Sequence, residues 1–451
     1  PSKVNEEYRF TFDRYLKGIQ ISARELKKMN GYYDALVPFK NQLKCTDTLT
    51  AVWITVQCPS RVPVGKYHQT IKIEGSKHFT IQLDYNVHHT TIPLKSSIPI
   101  TVGVENRCMT ECLNDKEADK ERQRWVDFVL SYRMTPVFGT QITPERWQYE
   151  HSFSPWAWND KRSIRLLNDR RYSCYMLPFF TLSENELASL LCNIQKKGKL
   201  KESLFYIWDE PAYMEDYEQI KRKVNIIRKY ASDARILTTF FCGPRNGPRK
   251  GDLYAVFDYL KHHIHVATIS LAPCKGNEEE VQHIRYKVPE GIDWWSYVCW
   301  QPGGNEPNFL LQMKGIQQRA IMWRTWKNGS QGFLYWNCNI YHKRNPFTYI
   351  TDMPHGDGIL IYPGDILGCK GPIASARLER WRDGAEEMEL LRLVEKNYSK
   401  EKADTLLNIV YSSPLSFIEK AHNIPFFRKE LLDQLDKTIP IDYKLRITDF
   451  I

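Results

Sequence analysis

The pattern of apolar and polar residues changes once along the chain, near residue 96. Before that point, apolar and polar residues alternate over short segments, as in Thr50–Val56, Gln69–Ile73 and Phe79–Val87. A period of two is typical of strands that bury one face. Residues 1–95 are therefore predicted to form an antiparallel β-sandwich domain. So few recognisable strands also lead us to expect an incomplete sandwich, truncated on its N-terminal side.

After residue 96, short apolar runs alternate with segments of helical periodicity. Eight strands, with helical patterns between most of them, indicate a (β/α)8 TIM-like barrel. The predicted strands lie near Ile98–Val104, Met134–Thr140, Ser173–Phe180, Leu204–Trp208, Ile236–Phe241, Val266–Leu271, Trp294–Cys299 and Gly332–Trp336. Helical spacing is clearest in Glu184–Lys196, Asp216–Tyr230 and Leu310–Lys327. We expect the barrel to span residues 96–400, and helices Lys402–Tyr411 and Pro414–Leu435 to form a C-terminal extension over residues 401–451.

The composition is that of a globular protein, and it argues against a transmembrane segment and against a nucleic-acid partner. Apolar residues make up 42% and charged residues 26% of the chain. No run of about eighteen apolar residues is present, so we expect no transmembrane segment. The net charge of +10 is not accompanied by a nucleic-acid-binding motif, and we expect no nucleic-acid partner. Eleven cysteines at irregular spacing favour free thiols over a disulfide framework.

The most informative segment is Leu204–Pro211. Five apolar residues predict a buried strand that ends in Asp209 and Glu210, and Pro211 stops the strand. In a barrel of alternating strands and helices, groups at this end of a strand face the open, C-terminal mouth. Two adjacent carboxylates repel each other, so one should keep its proton near neutral pH, as a general acid must. A helix N-terminus, whose dipole favours acids, is the alternative explanation.

Adjacent acids also restrict the chemistry. They cannot easily lie on opposite sides of a sugar as an acid and a nucleophile, whose carboxyl groups are about 5 Å apart across the bond. They suit a different scheme, in which one acid protonates the leaving oxygen. The other acid then steadies a nucleophile that the substrate supplies through its own 2-acetamido group.

Aromatic residues are abundant, with 13 Trp, 25 Tyr and 20 Phe, and some cluster at two further strand ends. Trp294–Trp300 runs into a turn, and Trp336 and Asn337 close the last strand. Alternation places Trp295 and Tyr297 on the same face of their strand. We select Tyr297, Trp336, Asn337 and Trp295 as candidate substrate-binding residues that line a sugar cleft. Packing in the core is the alternative for at least half of these rings.

Two other charged patterns have structural explanations. The segment Ala376–Leu391 carries both signs of charge at spacings that pair along a helix, which predicts a structural ion-pair network. His262, His263 and His265 suggest a metal, but acids at ligand spacing do not accompany them. We therefore predict no metal site.

Short motifs recur in order over most of the chain. They are Tyr33–Pro38, Val52–Val56, Pro63–Tyr67, Trp208–Pro211, Pro307-Asn308, Arg319–Trp323, Gly332–Trp336, Gly356–Gly358, Tyr362–Gly364, Arg377–Glu379 and Arg382–Gly384. Each motif is weak alone, but their order and spacing are specific. On these motifs the chain resembles glycoside hydrolase family 123, whose characterised members are β-N-acetylgalactosaminidases.

The resemblance implies a β-sandwich followed by a catalytic barrel. It also implies retaining, exo-acting hydrolysis of terminal β-linked N-acetylgalactosamine, assisted by the substrate's acetamido group. Carried over to this chain, Glu210 is the general acid/base, and Asp209 orients the N-acetyl group and stabilises an oxazolinium-like intermediate. We expect Asp209 and the nearby Trp208 to raise the pKa of Glu210. Neither a metal nor an organic cofactor is implied.

Two other functions stay open. One is a family relative that acts on another β-linked sugar, because specificity depends on loops that the sequence does not position. The other is a non-catalytic glycan-binding protein, although such a protein does not need adjacent acids at a strand end. The resemblance suggests secretion, or a periplasmic location in a bacterium. The natural glycan and the oligomeric state are not predicted.

Overall fold

The structure is a computed structural model that describes most of the chain. The described residues are 6–12, 19–45, 49–59, 62–110, 113–143, 146–149, 165–178, 183–341, 346 and 354–437. In these ranges no helix is both long enough and apolar enough to cross a bilayer. The ten cysteines in the same ranges are free thiols.

Two antiparallel sheets form the N-terminal region. Their strands are β1 (Glu6–Phe12), β2 (Gln20–Met29), β3 (Tyr32–Pro38), β4 (Gln42–Cys45), β5 (Ala51–Gln57), β6 (Gly65–Glu74) and β7 (His78–Val87). One sheet has the order β4-β1-β6-β7 and the other the order β3-β2-β5. Phe10 and Ile71 of the first sheet share an apolar cluster with Ile21 and Ile54 of the second. The predicted antiparallel, sandwich-like arrangement is confirmed, with four more strands than the sequence pattern indicated.

A third sheet curls into the barrel. Its strands are β8 (Ile100–Glu105), β9 (Thr135–Thr143), β10 (Arg146–Tyr149), β11 (Tyr175–Pro178), β12 (Ser203–Trp208), β13 (Arg235–Phe240), β14 (Val266–Ser270), β15 (Asp293–Val298) and β16 (Phe333–Tyr335). Eight of them are parallel, in the order β9-β8-β16-β15-β14-β13-β12-β11, and β10 is antiparallel to β9. At the open seam, the Ser173 amide donates to Thr135 Oγ1 over 3.2 Å. The predicted barrel of eight parallel strands is confirmed, and it is nearly closed.

Helices cover the outside of the barrel and its C-terminal side. They are α1 (Asn106–Thr110), α2 (Asp115–Ser131), α3 (Glu184–Lys196), α4 (Met214–Tyr230), α5 (Ala255–Leu260), α6 (Glu278–Lys287), α7 (Gly315–Lys327), α8 (Ala376–Asn397), α9 (Lys400–Leu407) and α10 (Ile424–Asp436). A short hairpin, β17 (Ile361–Pro363) and β18 (Pro372–Ala374), precedes α8.

The predicted C-terminal helix Pro414–Leu435 is wrong in its first half. A 3₁₀ helix occupies Ile418–Asn423, and α10 begins only at Ile424. Proline is tolerated in the first turn of a helix and not in its interior. Pro425 therefore favours a new helix start at this point.

Side chains fill the barrel interior in layers. A lower layer contains Leu204, Tyr206, Leu237 and Trp295, and a layer nearer the C-terminal strand ends contains Tyr297, Cys299 and Leu334. The interior is therefore a packed core rather than a channel, as in other barrels of this type. Chemistry has to take place above the upper layer, at the mouth formed by the loops that follow the strands.

Helix α8 joins the sandwich to the barrel. The guanidinium of Arg377 donates to Asp34 Oδ2 of β3, and Arg24 of β2 donates to Glu379 Oε1 over 2.8 Å. Gly384 allows close packing on α7, because an added Cβ would lie 2.1 Å from the carbonyl oxygen of Arg319. The predicted charge network on this segment thus connects the two parts of the molecule.

Candidate active site

A bulge at the end of β12 sets the direction of the two candidate acids. Between Tyr206 and Trp208 the pairing with β13 shifts, so that one extra residue is accommodated on β12. Glu210 then has a φ of 44°, in the left-handed region where non-glycine residues are strained. Bulges and strained residues of this kind often re-aim side chains at functional sites. Asp209 and Glu210 both emerge as exposed residues at the C-terminal end of the strand.

The carboxylate of Asp209 is held by hydroxyl groups. The Tyr206 hydroxyl donates to Asp209 Oδ1 over 2.5 Å, and Thr239 Oγ1 donates to the same oxygen over 2.7 Å. Thr239 also accepts the backbone N–H of Glu210 over 2.9 Å. Both of these donors reach Oδ1, and none of the hydrogen bonds found among the described residues uses Oδ2. The carboxylate is therefore oriented without being neutralised by a cation.

The carboxyl group of Glu210 reaches down toward the core. Its Oε1 accepts a hydrogen bond from the hydroxyl of Tyr297, a residue that is only 3% exposed. The pKa of Glu210 is raised, first because its carboxyl group is desolvated and second because Asp209 is a neighbouring negative charge. The Tyr297 hydrogen bond and the more distant Arg245 oppose this shift. The net direction favours a protonated Glu210, as a proton donor requires.

The ring of Trp208 packs toward the helices that surround the barrel. Because of the bulge, it contacts the outer, helix-facing core, and Lys223 Nζ of α4 lies 4.9 Å from the ring centroid. The expectation that Trp208 helps to raise the pKa of Glu210 stays a prediction.

The four candidate substrate-binding residues lie at different depths. Tyr297 contacts Glu210, and the half-buried Trp336 packs against the same upper layer. Asn337 is fully buried, and its Oδ1 accepts the backbone N–H of Asn339 over 2.8 Å. Trp295 is 1% exposed and packs in the lower layer against Gly332. It shares the face of Tyr297, and its ring lies one layer deeper in the core than the Tyr297 ring.

Sequence analysis missed two residues that shape the site, Tyr206 and Thr239. Tyr206 lies on the inward face of β12, three residues before Asp209. Thr239 lies near the end of β13, the adjacent parallel strand. Because neighbouring parallel strands end at the same edge, polar residues near the end of the following strand were the available signal.

The arrangement combines a proton donor with an oriented carboxylate on the same side of the barrel mouth. Within the described ranges, no group of three or more His, Cys, Asp and Glu side chains is arranged to hold a metal ion. Glu210 can transfer a proton to one atom of a bound molecule, and the Asp209 carboxylate can stabilise a positive charge on another.

Known families and solved structures include proteins that are similar to this chain. The catalytic-domain model of glycoside hydrolase family 123 matches residues 120–394, more than half of the chain. No curated protein sequence matches. One similar solved structure is a family 123 glycoside hydrolase from Clostridium perfringens, studied for glycolipid glycan hydrolysis. Its TM-score is 0.66 at 14% sequence identity, and the match covers 100% of this chain and 92% of the Clostridium chain. A GH2 β-galacturonidase from Eisenbergiella tayi has a TM-score of 0.37 at 10% identity, covering 84% and 71%. The chain belongs to glycoside hydrolase family 123.

Proposed function

We propose that this family 123 glycosidase is a retaining exo-glycosidase that removes terminal β-linked N-acetylgalactosamine with the help of the substrate's own acetamido group. The observation that carries the proposal is the pair Asp209–Glu210 at the barrel mouth. One member has a raised pKa, and the other is oriented through a single oxygen. The pair is too close to flank a sugar as acid and nucleophile.

In the first step, the acetamido carbonyl oxygen attacks the anomeric carbon while the glycosidic C–O bond breaks. Glu210 transfers its proton to the leaving oxygen. Asp209 accepts the acetamido N–H at Oδ2 and stabilises the positive charge that develops on the ring formed by the acetamido group. Tyr206 and Thr239 fix Asp209 in advance, so little reorganisation is needed in the transition state.

In the second step, water attacks the anomeric carbon and opens the oxazolinium ring. Glu210, now a carboxylate, takes the proton from this water and returns to its starting state. The anomeric carbon is attacked twice from alternate faces, and the β configuration is therefore retained.

The experiment compares chromogenic β-linked N-acetylgalactosaminide, N-acetylglucosaminide and galactoside as substrates of the wild type and of Glu210→Gln. We expect hydrolysis of acetamido sugars alone, abolished in the variant and inhibited by a thiazoline that mimics the bicyclic intermediate. Hydrolysis of the plain galactoside contradicts the substrate-assisted mechanism. Preference for the glucosaminide favours a relative with another sugar specificity. Binding of the sugars with no hydrolysis favours a glycan-binding protein.

A further inference from the structure

A second carboxylate near the barrel mouth has one oxygen without a partner. Asp357 follows the last barrel strand and is 3% exposed. Its Oδ1 accepts the hydroxyl of Tyr335 and the indole N–H of Trp336, each over 3.0 Å. Its Oδ2 is buried and has no hydrogen-bond partner among the described residues. A buried polar atom in this state is costly, and native proteins keep few of them.

Among the described residues, no cation forms an ion pair with the carboxylate of Asp357. Arg377 is the nearest cation to influence Asp357 electrostatically. Its guanidinium donates to Asp34 and to the backbone oxygens of Phe309 and Gly356, over 2.7 and 2.8 Å for the last two. It therefore anchors the backbone beside Asp357 without pairing with the carboxylate. Arg377 thus binds the backbone on both sides of Asp357, at Gly356 and Ile359, and leaves the Asp357 carboxylate as a buried acceptor.

Asp357 and Glu210 approach the same part of the barrel mouth. Trp336, which donates to Asp357, packs with Tyr297 and Cys299, and Tyr297 donates to Glu210. Burial raises the pKa of the Cys299 thiol, and the negative charges of Asp357 and Glu210 both add to that rise. The Cys299 thiol therefore lies within electrostatic range of both carboxyl groups. Asp357 comes after β16, and Glu210 comes at the end of β12.

Burial raises the pKa of Asp357 itself to about 6. The group is therefore mostly ionised at pH 7, and it can accept hydrogen bonds from a ligand. Hydroxyl groups that donate to a buried carboxylate form charge-assisted bonds, which are among the stronger ones in proteins. The half-buried ring of Trp336 beside it offers an apolar face of the kind that packs on the C–H groups of a sugar.

We propose that Asp357 binds, through Oδ2, a hydroxyl of the terminal sugar that lies away from its 2-acetamido group, the 4- or the 6-hydroxyl. This inference rests on the proposed function, because it takes the acetamido group to be held by Asp209 and leaves the other sugar hydroxyls for Asp357. Asp357 is then a specificity-determining residue. It selects a neutral sugar whose hydroxyl is free, and it disfavours a sulfate or a carboxylate at that position by charge repulsion.

The test combines Asp357→Asn with 4-deoxy and 6-deoxy forms of the chromogenic N-acetylgalactosaminide. The variant keeps an acceptor for Tyr335 and Trp336 but loses the charge. We expect kcat/KM to fall about tenfold to a hundredfold, the range for losing a hydrogen bond to a charged group. We also expect one deoxy substrate to be slow with the wild type and to lose most of that penalty in the variant. A purely structural residue would not change the deoxy penalty.

The matched control is Asp365→Asn, which alters an exposed aspartate nearby and should keep wild-type rates and deoxy penalties. Wild-type rates that are equal for both deoxy substrates and the parent overturn the inference, whether or not the variant folds. So does a deoxy penalty that persists in Asp357→Asn.

Failure of the proposed function gives a different result. If the wild type hydrolyses none of the acetamido substrates, calorimetry with free N-acetylgalactosamine and its deoxy analogues replaces the rates. Weaker binding in Asp357→Asn then supports the hydroxyl contact, and equal binding, or none with either protein, overturns it.

Discussion

Two clusters of acids in this molecule differ in what holds them. On α8, Asp383 and Glu387 face Arg319, which donates to Glu387 Oε2 over 2.9 Å and to Asp383 over 3.1 Å. At the barrel mouth, the described partners of Asp209 and Glu210 are hydroxyl groups, and the described ion pairs include neither acid. Arginine neutralises the first cluster and fixes it in place. Hydroxyl groups orient the second and leave its charge available to a substrate.

The comparison also shows that a raised pKa is not sufficient to identify a proton donor. Burial raises the pKa of Asp383 and Glu386 on α8, just as it raises that of Glu210. The partners distinguish the two regions. An acid packed against arginines has no route to a substrate, whereas Glu210 lies at an exposed strand end.

The largest effect should come from breaking the α8 cluster. Glu387 is fully buried, so Glu387→Gln leaves Arg319 with much of its charge uncompensated. Removing one partner of a buried pair typically costs about 3–5 kcal/mol. We expect a loss of this order in denaturant unfolding, with unchanged kcat for the protein that remains folded. Glu395→Gln on the same helix, in the partly exposed pair with Arg392, should cost about 1 kcal/mol or less. Equal losses in both variants would contradict the distinction.

The same kind of change at the barrel mouth should affect the rate instead. Asp209→Asn removes the charge that stabilises the intermediate while keeping the shape of the side chain. We expect kcat to fall about a hundredfold or more, as for other preorganised electrostatic groups. Thermal stability should be kept, because an asparagine Oδ1 can still accept the hydrogen bonds from Tyr206 and Thr239. The control is Asp233→Asn at an exposed position. A rate loss below about tenfold would count against the role of Asp209.

A smaller rate effect is expected from the hydroxyl groups that position Asp209. Tyr206→Phe removes one of its two donors, and Thr239 retains the other. A hydrogen bond to a charged group is worth about 1.5–3 kcal/mol, so we expect kcat to fall about tenfold or more. Rate loss should be similar for all acetamido substrates, since Tyr206 acts through Asp209. Tyr67→Phe, which removes a hydroxyl that donates to a backbone oxygen in the sandwich, should leave the rate unchanged.

Sequence patterns predicted the barrel better than the sandwich, for a physical reason. Each barrel strand is buried on both faces and is therefore a continuous apolar run, which local sequence reveals. Strand β2 instead carries Arg24, Glu25, Lys27 and Lys28. Its Arg24 pairs with Glu379, far along the chain on α8. No local pattern shows such a partner, and β2 was missed.

In the site, too, local features were predictable from the sequence and features that depend on the surrounding structure were not. Asp209 and Glu210 were predictable because a strand end is a local feature. Alternation correctly placed Trp295 and Tyr297 on one face, but it specifies the face and not the depth. Alternation also does not reveal the bulge before Trp208, where an extra residue changes the face on which the following side chains lie.

The smallest effects should be opposite shifts in the pH dependence of kcat/KM. Activity needs protonated Glu210, so it is lost as pH rises through the pKa of that group. The negative charge of Asp209 raises this pKa, and the hydrogen bond from Tyr297 lowers it. Asp209→Asn should therefore move the alkaline limb to lower pH, and Tyr297→Phe should move it to higher pH, each by about one unit or less. The alkaline limb of each variant is measured with the same N-acetylgalactosaminide. Glu387→Gln serves as the control, and its alkaline limb should stay at the wild-type pH. If the two variants moved the limb in the same direction, the alkaline limb would not report Glu210, because these two contacts act on its carboxyl group with opposite signs.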